Sequence, residues 1–238
     1  MISVVACTNR EWFLKNIISN FQKQTIRNKE LLIILHSLKI DVLKVREVLE
    51  KTTLDYSLLH FSEEMTLGEC LNKGGQLAKY DFIAKMDDDD YYGANYLSEA
   101  FDALTQTNAM MVGKASFYIY FKQQQELRLF NPNRENLWIK KNSSNQCSCL
   151  LSGATLSFKK ELFNTVTFPS INQGEDTVFQ KSCLENGIKI LSLSKNDYAY
   201  FRYSFPHHHT SDATDHLLKS HSLFVSKTDS FENIVSKT

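Results

Sequence analysis

The chain has 238 residues, 42% of them hydrophobic and 23% charged, with 27 Lys+Arg balanced by 27 Asp+Glu. This is a globular rather than a disordered composition, and a formal net charge of zero leaves no broad electrostatic footprint for duplex nucleic acid or an anionic membrane surface. No apolar run approaches the ~18–20 residues of a membrane span. Five scattered cysteines (Cys7, Cys70, Cys147, Cys149 and Cys183) argue against a disulfide framework.

The first ten residues turn polar at Thr8-Asn9-Arg10, too early for a secretory leader, so the expectation is a soluble, cytoplasmic protein. Residues 3–7 form a β-branched run that reads as a buried strand feeding that polar loop. Phe13, Ile17 and Phe21, flanked by Leu14 and Ile18, follow helical spacing over 11–24. A second apolar run at 31–35 ends at His36-Ser37, 41–49 is again helical, and 56–61 reads as a third strand. Thr66 and Glu69 make a capping box for a helix running to about Leu77. Residues 81–86 then lead into Asp87-Asp88-Asp89-Asp90.

Strands and helices in strict alternation predict a mostly parallel sheet covered on both faces, joined by right-handed crossovers. Such sheets bind ligands at the carboxyl ends of their strands, and 8–10, His36 and 87–90 all fall on that rim. Beyond residue 110 the pattern loosens. Residues 112–121 and 125–130 read as strands, 131–145 as a long surface loop, and 149–158 as a strand containing Gly153. Residues 176–186 read as a helix closed by Gly187, 198–203 as a last strand, and the tail from 212 as helical or loose. With three prolines and no low-complexity linker, one α/β unit is expected.

The aspartate run carries the most chemistry. Four adjacent carboxylates repel one another, and an apolar strand entering them favours neutralisation by a cation over a solvated acidic loop. Hard oxygen donors suit Mg²⁺ or Mn²⁺ with substrate phosphates. In extended chain Asp87 and Asp89 would share one face, Asp88 and Asp90 the other. Asp176, where a helix begins, reads by itself as a capping acid; its functional reading is a general base. His207-His208-His209 offer imidazole for a metal shell or a phosphate, against the plainer reading of a polar turn after Pro206. Cys147, Cys149 and Cys183 lack the second Cys-x-x-Cys pair of a zinc site and read as free thiols. Tyr91, Tyr92, Phe117, Tyr118 and Tyr120 offer faces for stacking on a sugar or base but read mostly as packing, while His36 and Lys85, near the rim, either touch a nucleotide or close a strand.

Together these residues resemble a family 2 glycosyltransferase of the GT-A fold. Four segments stand in that family's order: SVVACTNR, KMDDDDYYGANYL, GATLSF and GEDTVF, within about residues 2–210. The resemblance implies a single catalytic domain over 1–238, with a nucleotide-sugar-binding half at 1–110, an acceptor-side half at 111–210 and a C-terminal tail at 211–238. It implies a Rossmann-like, mostly parallel central sheet with helices on both faces, and a less regular acceptor side. The activity it implies is metal-dependent, inverting transfer of a hexosyl group from a nucleotide sugar, UDP preferred, to a hydroxyl. The acceptor would be a carbohydrate, a lipid-linked sugar or a polymer, in cell-surface polysaccharide or glycoconjugate synthesis, with peripheral membrane association compatible and no nucleic acid involved.

Carried onto this sequence, the resemblance places Thr8, Arg10, His36, Asn72, Lys73 and Asp88 around the nucleotide, with His36 standing where the family often has an acidic residue touching uracil. Asp87 and Asp89 match the Asp-x-Asp ligands of Mn²⁺ or Mg²⁺, and His209, followed by Thr210, matches a third ligand. Asp176 matches the catalytic base, and Gly153-Ala154-Thr155 would line the acceptor side. Two rivals are weighed against this. A nucleotidyltransferase would want a Gly-rich phosphate loop after the first strand, where Thr8-Asn9-Arg10 has no glycine. A catalytically silent binding module would have no physical need for Asp87, Asp89 and Asp176 together.

Overall fold

In the computed structural model, which describes residues 1–141, 149–203 and 214–236, β1 (Ile2–Thr8) lies at the centre of a parallel group. It pairs with β2 (Lys29–His36), and β2 pairs with β3 (Tyr56–Phe61). Helices α1 (Leu14–Gln22) and α2 (Val42–Glu50) make the crossovers, and α3 (Leu67–Leu77) returns the chain to β4 (Phe82–Lys85) on the other side of β1.

Alternation along the strands explains why both faces are covered. Val4, Ala6, Leu31 and Ile33 pack into the cluster that holds Ile17 and Phe21 of α1 and Leu49 of α2. Their neighbours Val5, Leu32 and Ile34 point the other way, toward Cys70 and Leu71 of α3. Helix α3 starts on the predicted capping box, with Thr66 accepting from the Glu69 N–H and the Glu69 carboxylate accepting from the Thr66 N–H. It lies so close to the sheet that a Cβ on Gly74 would stand 2.7 Å from Val5 Cγ1 and 2.9 Å from Ile34 Cδ1.

The second half contributes β5 (Tyr91–Tyr92), α4 (Tyr96–Gln106), β6 (Met111–Gly113), β7 (Phe117–Phe121), β8 (Glu126–Phe130), β9 (Trp138–Ile139) and β10 (Ser157–Lys159). These are followed by α5 (Glu175–Glu185), β11 (Ile190–Ser192), β12 (Tyr198–Arg202), α6 (Asp215–Ser220), β13 (Ser222–Lys227) and α7 (Glu232–Val235). They extend the first sheet to the order β3-β2-β1-β4-β10-β6-β11-β9 and build a second of order β13-β8-β7-β12-β5. Strand β10 runs antiparallel between β4 and β6.

Four expectations change here. Residues 112–121 are not one strand: the chain leaves the first sheet at Lys114, whose buried ammonium bonds Glu99 at 2.8 Å and the Ser194 carbonyl at 2.7 Å, and enters the second at Phe117. Within 149–158 only the last residues are strand, because Gly153–Thr155 close a 3-10 turn. The loop at 131–145 contains β9, paired with β11. The tail forms a strand as well as helices, β13 pairing antiparallel with β8. Gly187 does stand after α5 with φ +72°, and the Ile188 N–H closes on the Cys183 carbonyl.

Candidate functional site

The carboxyl ends of β1, β2 and β4 open onto a cleft of about 1280 Å³, closed on its far side by the start of α5 and the turn at Gly153. Thr8, Arg10, His36, Asp87, Asp88, Asp89 and Asp176 all line it. Asn72 and Lys73 do not. The Asn72 amide instead makes a two-way clasp with the backbone of Phe168, donating to its carbonyl at 2.8 Å and accepting from its N–H at 2.9 Å, and Lys73 faces solvent. His207, His208, His209 and Thr210 lie outside the described residues, as does Cys147.

The four aspartates have four different surroundings. The chain leaves strand geometry at Lys85, so the expected two-faced alternation does not apply. Asp87 is the most open, its side chain 37% exposed, and its Oδ1 accepts from Lys85 Nζ at 2.6 Å. Asp88 turns back to the β1 loop, accepting from the Thr8 hydroxyl and from both Nε and Nη2 of Arg10. Asp89 is reached by the same guanidinium at 3.1 Å. Asp90 points into the second sheet, accepting from the Tyr198 hydroxyl at 2.7 Å and the Phe201 N–H at 3.0 Å. Burial pushes the Asp88 carboxyl up to about 6 against the pull of Arg10. Burial and the Asp89 and Asp87 charges raise Asp90 further.

The turn that displays them is held from below. Asn16 donates to the carbonyls of Asp88 and Asp90 at 2.7 and 2.9 Å, and Asn20 to that of Asp90 at 2.8 Å. The Tyr92 hydroxyl accepts from the Asp87 N–H and donates to the Ala154 carbonyl, both at 2.7 Å. From sequence, Tyr92 reads as packing and neither Asn16 nor Asn20 is singled out. The available signal was the pair of asparagines four apart on the otherwise apolar inner stripe of α1.

Opposite the acidic turn stands Asp176, in the first turn of α5, with its Oδ1 accepting from the Thr177 N–H at 2.6 Å. Gly153 packs against it so tightly that a Cβ there would lie 1.6 Å from Oδ2 and 2.8 Å from the Asp176 Cβ. Lys85 joins the two sides. Burial would lower its ammonium pKa, but the charges of Asp87, Glu175 and Asp176 outweigh burial and raise it. Glu175, another unforeseen member, is buried and its carboxyl is raised by desolvation against the pull of Lys85. Six carboxylates, Asp87 to Asp90 with Glu175 and Asp176, thus meet the charges of Arg10 and Lys85. The set has room for a divalent cation on electrostatic grounds, with Asp87 and Asp89 offering hard oxygen donors at the cleft wall.

Three comparisons bear on this arrangement. Among solved structures, Staphylococcus aureus TarS 1–349 in complex with UDP-GlcNAc superposes with a TM-score of 0.68 at 17% identity, over 87% of this chain and 60% of that one. The same protein in complex with UDP gives 0.65 at 16%, over 84% and 60%. The mannosyltransferase PcManGT from Pyrobaculum calidifontis, in complex with GDP-Man and Mn²⁺, gives 0.63 at 15%, over 87% and 58%. The present chain therefore spans about 60% of the length of the TarS 1–349 chain, and at these identities the likeness shows the fold, GT-A. No curated protein matches the sequence. The family described as Glycosyl transferase family 2 matches residues 3–160, which takes in β1 to β4, the acidic turn and the Gly153 turn. The chain belongs to glycosyl transferase family 2.

Proposed function

We propose that the chain transfers a sugar from a nucleotide sugar, UDP preferred, to a hydroxyl acceptor, with inversion at the anomeric carbon and dependence on Mn²⁺ or Mg²⁺. The observation that carries this reading is the convergence on Lys85 of Asp87 from the acidic turn and Asp176 from α5, across a cleft large enough for a nucleotide sugar. TarS in complex with UDP-GlcNAc and PcManGT in complex with GDP-Man and Mn²⁺ have the same fold, which supports a nucleotide-sugar donor and a divalent ion here.

In this reading Asp87 and Asp89 hold the cation, and the ion, when bound, stabilises the charge that develops on the departing diphosphate. Thr8 and Arg10 fix the Asp88 carboxylate and so hold the β1 loop against the acidic turn where the diphosphate would lie. Asp176 takes the proton of the attacking hydroxyl from the opposite face, and one displacement from that face inverts configuration. The Gly153 turn presses the base into place, and Gly153 and Ala154 form the acceptor wall, whereas Thr155 is buried behind them with its hydroxyl accepting from the Lys114 N–H. The division into a donor half at 1–110 and an acceptor half at 111–210 follows from this assignment, with 211–238 as a tail. We assign the transfer to polysaccharide or glycoconjugate synthesis on the cytoplasmic side. Among the described residues no helix is long and apolar enough to cross a membrane, which leaves contact with a carbohydrate, lipid-linked or polymer acceptor to the surface.

Calorimetry of UDP binding tests the reading directly. Affinity rises on adding Mn²⁺ to the native chain, and Asp89→Asn removes that rise. Unchanged Mn²⁺-dependent affinity in the variant rejects the metal assignment. Slow release of UDP from a UDP-sugar by the native chain, without acceptor, distinguishes an enzyme from a silent binding module.

A further inference from the structure

Cys7 at the end of β1, His36 at the end of β2 and Cys70 in α3 form a cluster to which the transfer proposed above gives no chemical step. One ligand atom from each lies within 4.8 Å of the other two. We propose that this triad is a binding site for a soft divalent cation, Zn²⁺, separate from the carboxylate site.

Four observations carry this beyond proximity. First, two thiols and an imidazole are the donors that borderline-soft zinc prefers, whereas Mg²⁺ and Mn²⁺ prefer the oxygens of the acidic turn. Second, the spacing is close to what is needed. With Zn–S of about 2.3 Å and Zn–N of about 2.0–2.1 Å, tetrahedral S–N and S–S ligand pairs stand about 3.5–3.8 Å apart, so a contraction of at most about 1 Å closes the shell. Third, the tautomer of the imidazole is already set. The Met65 carbonyl can only accept, so His36 Nε2 donates to it and Nδ1 is left as the unprotonated nitrogen. Backbone carbonyls hold metal-ligating histidines in this way. Fourth, an ion has an entry path and an open position. Cys7 and His36 both line the cleft while Cys70 is fully buried behind them, so the three supply one wall of a tetrahedral shell and the cleft supplies the fourth ligand as water.

The two thiols stand within 4.8 Å of each other. Binding displaces both thiol protons to solvent as two Zn–S bonds form. The bound ion would tie β1, β2 and α3 together at the end of the cleft opposite the Gly153 turn.

The test uses the full chain, stripped of metal and titrated with Zn²⁺ alone and with Co²⁺ alone. One equivalent of Co²⁺ produces a thiolate-to-metal charge-transfer band, and Zn²⁺ displaces it and raises the melting temperature by roughly a few degrees. Cys7→Ser and Cys70→Ser each abolish the band and weaken Zn²⁺ binding by roughly tenfold or more, while Asp89→Asn retains both. No band in the native chain, or a band that survives both serine variants, overturns the proposal. So does Zn²⁺ binding that is lost in Asp89→Asn and kept in both serine variants, which would place the ion at the carboxylates. If the buried Cys70→Ser variant does not fold, Cys7→Ser and His36→Asn on the cleft side decide the same question. The outcome is independent of whether the cleft binds nucleotide sugars.

Discussion

The two sheets meet at the acidic turn but are built differently. The first sheet uses long apolar strands with helices on both sides, and its innermost strands expose almost nothing, Ile2, Val4, Leu31 and Ile33 all being fully buried. The second is assembled from pieces far apart in the chain. Its interior is largely aromatic, with Phe201 edge-on to Phe231, Tyr120 tilted against both, and Tyr198 against Tyr92. One sheet provides a frame whose strand ends deliver Thr8, His36 and Lys85. The other provides specific polar grips, above all Tyr198 and the Phe201 N–H on Asp90. A substitution in the frame should cost stability and leave transfer unchanged; one in the grips or on the α5 wall should lower transfer, whatever it costs in stability.

The sharpest test of that contrast is Asp176→Asn, which keeps the shape of the wall and removes the base. Transfer falls roughly 10²–10⁴-fold while UDP binding is retained, as steady-state assays and calorimetry would show; full residual transfer rejects the assignment. Next comes Gly153→Ala. Its methyl group overlaps the carboxylate, Cγ and Cβ of Asp176, so turning the side chain does not relieve it and the base must move. A displacement of that size costs on the order of 10²-fold in transfer, with little change in donor affinity. Tyr198→Phe leaves a buried Asp90 oxygen without its hydroxyl donor and costs about 1–3 kcal/mol in urea denaturation, together with some activity. The smallest effect is expected for Asp41→Ala in the frame. Asp41 caps α2 by accepting from the N–H groups of Leu43 and Lys44 at 3.0 and 3.2 Å, and its loss costs about 1 kcal/mol with transfer unchanged. A fall in transfer for Asp41→Ala would erase the distinction between frame and grip.

How far each region could be read from sequence follows the same division. Runs such as 31–35 are apolar at every position because both faces are covered, and the Thr66–Glu69 capping box is a local signal, so the order from β1 to β4 was readable. Strand β10 has three residues, and its place between β4 and β6 is decided by contacts more than forty residues away on either side. Strand β13 was hidden for a related reason. Leu223, Phe224 and Val225 are largely exposed on a sheet edge, and their pairing partner lies about ninety residues earlier. In the cleft, position at the strand ends pointed to 8–10, His36 and 87–90, while Asp176, which by itself reads as a capping acid, was added by the family resemblance; all of them share it. Nothing local separates Asp88, bound by Arg10, from the more open Asp87, since that depends on where the chain leaves β4. Asn72 sits on α3 with a side chain suited to a nucleotide, yet the segment at Phe168 claims it.

The phenol of Tyr92 bridges Asp87 and Ala154, one buried atom pinning the acidic turn to the Gly153 turn. The distance between those two turns therefore has a set gauge. Under the assignment proposed above, a bulkier acceptor is not admitted by spreading them apart, and choice among acceptors falls to other side chains of the cleft such as Trp12 and Tyr203.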